Sequence, residues 1–255
     1  MSIAVIIAGI FTGALLGVFG SGGSIVTLPA LLYLLNVEPK AAIAMSLGIV
    51  AITAAITALQ HWRQGNVNLK ITAVFGLFGV IGTYAGARLG IITPVVIQLG
   101  LFALVMYIAA WKMFKPSTSH KSLGAAACAD GFCDELDYRD IAVHGIAVGI
   151  LTGLVGVGGG FMIVPALVLL SGLPMKKAVG TSLGIVSLKS MAGFVGYAGA
   201  IAIDYSLMGM FTLVAIVGSL AGSQLAHRLP AELLKKGFAG FLLLVASYIL
   251  IKQIF

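Results

Sequence analysis

The sequence predicts an all-α polytopic membrane protein, built as two inverted-topology repeats of about five helical segments each, with glycine-rich broken or re-entrant helices. Three observations carry that expectation. Hydrophobic residues make up 60% of the 255 residues and charged residues only 9%, whereas a water-facing domain carries about 25% charged residues. Long apolar runs succeed one another across short polar gaps, most of them sufficient to cross about 30 Å of hydrocarbon as helices. Finally, the two halves align without a gap at an offset of 136 residues.

The apolar segments cover 3–19, 24–37, 41–60, 70–90 and 95–114, then 141–157, 160–173, 178–200, 207–227 and 233–254. The first has no basic stretch before it and a similar run opens the second half, so a retained helix is expected rather than a cleaved signal peptide. Segments 24–37 and 160–173 are too short to span unaided and read as re-entrant or broken. Residues 1–114 form the first repeat, 115–139 a central polar loop and 140–255 the second repeat.

The duplication keeps glycine, proline and serine in register. GVFGSGGSIVTLPALLYLL (17–35) faces GLVGVGGGFMIVPALVLLS (153–171), SLGIV recurs at 46–50 and 182–186, and 17 of the 38 positions in 13–50 equal their partners. With five segments per half, the 15 Lys and Arg divide 11 to 3 between the two sides, leaving Lys189 inside a helix. With parallel halves they divide 7 to 7. The positive-inside rule selects the inverted arrangement, a cytoplasmic central loop and both termini outside. It also places Trp62 and Trp111 at the cytoplasmic interface of a cell membrane.

The net charge of +7 comes from residues between apolar runs, not from one amphipathic face, so a nucleic-acid partner is not expected. Cys128 and Cys133 stand in CADGFC, a spacing that fits no common zinc or redox pattern; free thiols in a loop are the plain reading. No catalytic set, metal-ligand motif or cofactor motif stands out, so neither an enzyme nor a bound cofactor is expected.

The strongest chemical signal is G-x-x-G-x-G-G-[SG]-x-x-x-x-P, at Gly17, Gly20, Gly22, Gly23, Ser24, Pro29 and again at Gly153, Gly156, Gly158, Gly159, Gly160, Pro165. Such runs cannot continue a helix, since each glycine costs about 1 kcal/mol relative to alanine. Broken backbone in lipid must line a cavity or be buried in protein. The N–H groups that open the next helix make an anion cradle. The competing reading is that glycines let helices pack closely, as expected for Gly82 with Gly86 and Gly218 with Gly222. No Lys-Ser/Thr follows, so a nucleotide loop is excluded.

The third helix of each half places Ser46, Thr53, Thr181, Ser182, Ser187, Lys189 and Ser190 among apolar residues. An unpaired ammonium at mid-depth costs at least ~2.5 kcal/mol, so a bound anion is an attractive counter-ion for Lys189. Snorkelling and a pair with Asp204 or Glu38 are the alternatives. His61 and His144 read as interfacial polar residues, with proton carriage as the sharper alternative, and Arg88 as a topology or headgroup charge.

GVFGSGGSIVTLPAL, GLVGVGGGFMIVPAL and GTSLGIV (180–186) resemble the TauE/SafE family of sulfite and organosulfonate exporters. The resemblance runs over nearly the whole chain, though Ser21 and Ser24 depart from the all-glycine pattern. It implies a secondary transporter of a small anion such as sulfite, sulfoacetate or sulfolactate, with a proton as candidate coupling ion. Gly20, Ser21, Gly22, Gly23, Ser24 and Gly156, Gly158, Gly159, Gly160 would then clamp the oxyanion. Lys189 would supply charge, and Ser46, Thr181 and Ser182 would shape the pocket. An anion or small-solute channel and a non-transporting membrane scaffold are the alternatives.

Overall fold

The computed structural model describes residues 3–20, 22–114, 138–155, 163–164, 167, 173–228, 237, 240 and 243–248. Among these residues eight α-helices are delimited: α1 (Ile3–Phe19), α2 (Gly22–Pro29), α3 (Pro39–Arg63), α4 (Leu69–Ile92), α5 (Val95–Phe114), α6 (Tyr138–Val155), α7 (Met175–Tyr197) and α8 (Tyr205–Arg228). There is no strand among the described residues. α1 and α5 coincide with the apolar runs, α2 covers only the first part of run 24–37, and the others differ by one to three residues, the usual uncertainty of helix ends. The central loop with Cys128 and Cys133, and most of 160–173 and 233–254, lie outside the described residues.

Local chemistry sets the boundaries. Asn68 caps α4 by accepting from Ile71 N–H, and Asp204 caps α8 by accepting from Ser206 and Leu207 N–H. α3 starts with Pro39 in its first turn, where the missing N–H costs nothing, and stops at Gly65, whose φ of 72° ends the helix. Within segment 24–37, Pro29 cannot donate to the preceding turn. The backbone widens there to a π-helical turn over Ala30–Leu34, with Leu35 N–H reaching Ala30 O, and then leaves through Asn36 at φ 51°.

Among the described residues four helices are long and apolar enough to cross a membrane: Pro39–Arg63, Leu69–Ile92, Lys176–Tyr197 and Tyr205–Leu225. The chain is therefore an all-α, multi-pass membrane protein. α3 and α7 are central, with 72% and 61% of their apolar windows buried against 44% in both α4 and α8. The outer faces carry Ile7, Leu77, Ile81, Val96, Leu213 and Val217, all more than half exposed, as lipid contact requires.

The packing has a recurrent pattern. α1 lies along α8 and α6 lies along α4, while α3 meets α7 at the centre. Gly13 and Gly17 of α1 abut the carbonyls of Ala215 and Ser219. Gly149 and Gly153 of α6 abut those of Gly79 and Thr83, each residue shifted by 136. In return Gly218 and Gly222 press on Ile10 and Ala14 carbonyls, and Gly82 and Gly86 on those of Ile146 and Ile150. At the centre, Ser187 Oγ donates to Ala51 O at 3.0 Å, a pair whose own separation is 136. These glycines bring backbones together without a hydrophobic driving force, as small residues do between helices in lipid.

Lys40, at the start of α3, donates to the carbonyls of Gly90, Ile91 and Thr93 at 2.7, 2.7 and 2.8 Å. It thus satisfies the orphan carbonyls at the end of α4 with a positive charge where the dipole is negative. Lys40→Met is expected to destabilise the protein by about 2 kcal/mol, read as a melting temperature lower by several degrees. An unchanged melting temperature would show that water replaces the lysine at no cost.

Candidate functional site

The first glycine run folds as a tight hairpin. α1 ends at Phe19, Gly20 takes a φ of 72° that glycine adopts without strain, and α2 returns along α1. A side chain at Gly23 would collide with Leu16 and with the carbonyl of Thr12, so Gly23 permits the close return. Gly17 likewise serves packing, against Ser219. Gly22 opens α2. Ser21 and Gly156, Gly158, Gly159 and Gly160 lie outside the described residues, as does the side chain of Ser24.

The turn of this hairpin meets α7. A Cβ at Gly20 would stand 2.8 Å from Val179 and 3.0 Å from Ser182 Oγ. Ser182 is fully buried and donates to Val179 O at 2.7 Å, with Gly20 O at 3.5 Å. Its counterpart Ser46, equally buried, donates to Ile43 O at 2.8 Å. Thr181 is also buried, and its hydroxyl oxygen accepts from Asn68 N–H at 3.0 Å, tying α7 to the α3–α4 loop.

Lys189 is 0% exposed, which removes the snorkelling alternative. Its stem lies across Gly79 of α4, where a Cβ would come 2.7 Å from Cδ. Nζ stands 6.0 Å from the Phe75 ring centroid and has no hydrogen-bonding partner among the described residues. The neighbouring Ser190 Oγ is likewise buried and unpartnered. The expected alternative partner Asp204 uses its carboxylate as the cap of α8. Glycine at 79 thus makes the space for an ammonium that no described residue reaches as a counter-ion, so its desolvation is uncompensated among them.

Lys189 follows Ser182 by seven residues, two turns or about 10 Å along the same face. The hairpin turn at Gly20 and the ammonium are thereby set along one helix face. An anion near Lys189 would be held by charge in a low dielectric, with the hydroxyls of Ser182 and Ser190 as further polar groups.

His61, expected as an interfacial polar residue, lies in the last turn of α3 with its side chain buried, 2% exposed. Its Nε2 lies 3.1 Å from Ser223 Oγ, and one turn away Thr57 Oγ1 donates to Ser219 Oγ at 2.9 Å. The two pairs form a polar seam between α3 and α8. The signal for it was the recurrence of Thr53, Thr57 and His61, and of Ser219 and Ser223, at four-residue spacing. At the end of α6, Gln98 Nε2 donates to Leu154 O and Gly90 O, both at 2.8 Å, and Tyr197 OH reaches Leu154 O at 3.4 Å. Arg88 is exposed beside Tyr84, at 3.1 Å from its hydroxyl, and the side chain of His144 lies outside the described residues.

The family model described as "Sulfite exporter TauE/SafE" matches residues 5–249. The chain belongs to the TauE/SafE family. It is 30% identical over 251 residues to a "Probable membrane transporter protein" of Xylella fastidiosa (strain Temecula1), covering 95% of this chain and 92% of the relative. It is 26% identical to "Probable membrane transporter protein YdhB" of Bacillus subtilis (strain 168), over 91% and 96% of the two chains. With a "Probable membrane transporter protein" of Haemophilus influenzae it shares 27% identity over 97% of each chain. No solved structure matches it significantly. TauE/SafE proteins and these relatives are membrane transporters, not enzymes, so a small solute and a lipid environment are their common setting.

Proposed function

We propose that this TauE/SafE protein is a secondary transporter of a small anion, with sulfite or an organosulfonate as its substrate, working by alternating access at a site between two inverted repeats. The observation that carries the reading is Lys189: a fully buried ammonium without a partner among the described residues, two turns along α7 from the contact between Ser182 and the Gly20 turn. An anion is the counter-charge such a group lacks.

In this reading residues 1–114 and 140–255 are the two repeats and 115–139 is a cytoplasmic loop, with both termini outside. The exchange of helices, α1 onto α8 and α6 onto α4, supports two like halves clasping each other. The charge division supports their inversion. Backbone donors from 21–24 and 156–160 clamp the oxyanion, the Gly20 N–H being held by Leu16 O at 2.8 Å, while Lys189 neutralises it and Ser46 and Ser182 line its approach. Thr181 holds α7 to the loop at Asn68, and a proton is the candidate coupling ion.

The test is a thermal-shift titration of purified protein with sulfite and sulfoacetate, with chloride and sulfate as controls, followed by counterflow in proteoliposomes. Selective stabilisation and saturable exchange are expected. A flux that never saturates would make the protein a channel. No flux of any solute would leave a scaffold.

A further inference from the structure

Near the hairpin of the first half, α1, α2, α3 and α8 border a narrow, partly open cavity with room for about one water-sized sphere, about 10 Å³ for its centre. Thr12, Thr27 and Thr53 line it from three different helices, together with Gly23 and Ala215. No charged side chain is among the lining residues.

The three hydroxyls share one chemical state. Thr12 Oγ1 donates to Ala8 O at 2.8 Å, Thr27 Oγ1 to Gly23 O at 2.8 Å and Thr53 Oγ1 to Ile49 O at 2.7 Å. A hydroxyl has one proton and two lone pairs. With each proton committed to its own helix, what remains for a fourth group is acceptor capacity alone. Such back-bonding is common for threonine in apolar helices, and by itself explains each residue singly. It does not explain why three converge on one cavity.

The second half supplies the independent observation. At an offset of 136, Thr53 corresponds to Lys189, and Ala215 corresponds to Gly79, against which the Lys189 stem packs. Thr12 and Thr27 correspond to Val148 and Ile163. Where the second half carries a covalent cation, the two other hydroxyls are gone. Where the first half lacks it, three threonines line a cavity of about one ion's size.

We infer that the cavity among Thr12, Thr27 and Thr53 is a binding site for a small monovalent cation, Na⁺ in size, in the position that the Lys189 side chain takes up in the other half. A divalent ion is disfavoured because no carboxylate is among the described lining residues to balance it. Oxygen ligands beside a broken helix are the kind of site in which transporters hold such ions. The site stands independently of the anion assigned above, because its test contains no sulfur oxyanion.

The experiment uses the full chain in detergent at fixed ionic strength and fixed chloride, replacing choline stepwise by Na⁺, Li⁺ or K⁺. A saturable Na⁺-specific rise in melting temperature is expected, roughly 5 °C when Na⁺ stands about a hundredfold above its dissociation constant. K⁺, being larger, produces none. The near-isosteric variants Thr53→Val and Thr12→Val each lose the Na⁺ response, and the second serves if the first does not fold. Equal melting temperatures in Na⁺, K⁺ and choline would overturn the inference and leave a site for water. So would a Na⁺ response kept in full by either variant.

Discussion

Replacing Lys189 with methionine is expected to make the protein more stable and less active at once. Methionine matches the length of the lysine stem and keeps its packing across Gly79 and Phe75, while removing a charge that no described residue compensates. Replacing buried charges by apolar groups of like volume commonly stabilises by about 1–4 kcal/mol. In a chain of this size that is a rise of several degrees in melting temperature. Anion exchange in proteoliposomes should fall at least about tenfold, the factor that ~1.4 kcal/mol of lost interaction produces. A variant that is less stable yet exchanges anion at the original rate would show that the lysine is structural and that the anion sits elsewhere. Lys189→Ala separates the effects further, since it also leaves a cavity beside Gly79 and should forfeit much of the stability gain.

The second large effect is expected at the glycine seams. Gly17→Leu or Gly222→Leu should abolish folded protein, because the intruding side chain meets backbone: the carbonyl of Ser219 in one case and of Ala14 in the other. Backbone cannot rotate aside as a side chain can, so the cost exceeds the ordinary 1–3 kcal/mol of overpacking. Gly153→Leu, against Thr83 O, should behave alike. Gly209→Leu is the control. Nothing lies within 4 Å of a Cβ at Gly209, and leucine there should be neutral or stabilising by up to about 1 kcal/mol through helix propensity. Size-exclusion profiles of the detergent-extracted variants decide the matter. Monodisperse Gly17→Leu and Gly222→Leu would mean that the α1–α8 seam opens at little cost.

These seams also show why only part of the molecule was legible in advance. Helix limits were, because each is set by groups close in sequence: Asn68 before α4, Asp204 before α8, Gly65 after α3. The turn at Gly20 was, because a run of glycines forces a break wherever it lies. His61 reads as interfacial from its place near a helix end, and its burial is not visible there. Its burial depends on Ser223, 162 residues away. Thr181 stands out in the sequence as a hydroxyl in an apolar helix, and that Asn68, from another loop, donates its N–H to that oxygen is visible only in the fold. Likewise Lys40 counted only as a topological charge, while the structure makes it the cap of α4.

What the sequence by itself determined is therefore the helices among the described residues, the membrane setting, the correspondence of residues 136 apart and the anomaly of a lysine in an apolar helix. Each follows from composition and from spacing along one chain segment. Only the tertiary structure decided that α1 packs on α8 and α6 on α4, that Gly79 makes room for Lys189, and that Thr12, Thr27 and Thr53 share one cavity. The physical reason is that periodicity reveals which face of a helix is apolar or small, but not the helix it will meet. In lipid, where apolar faces gain little from one another, that choice falls to close backbone fit and a few buried polar contacts.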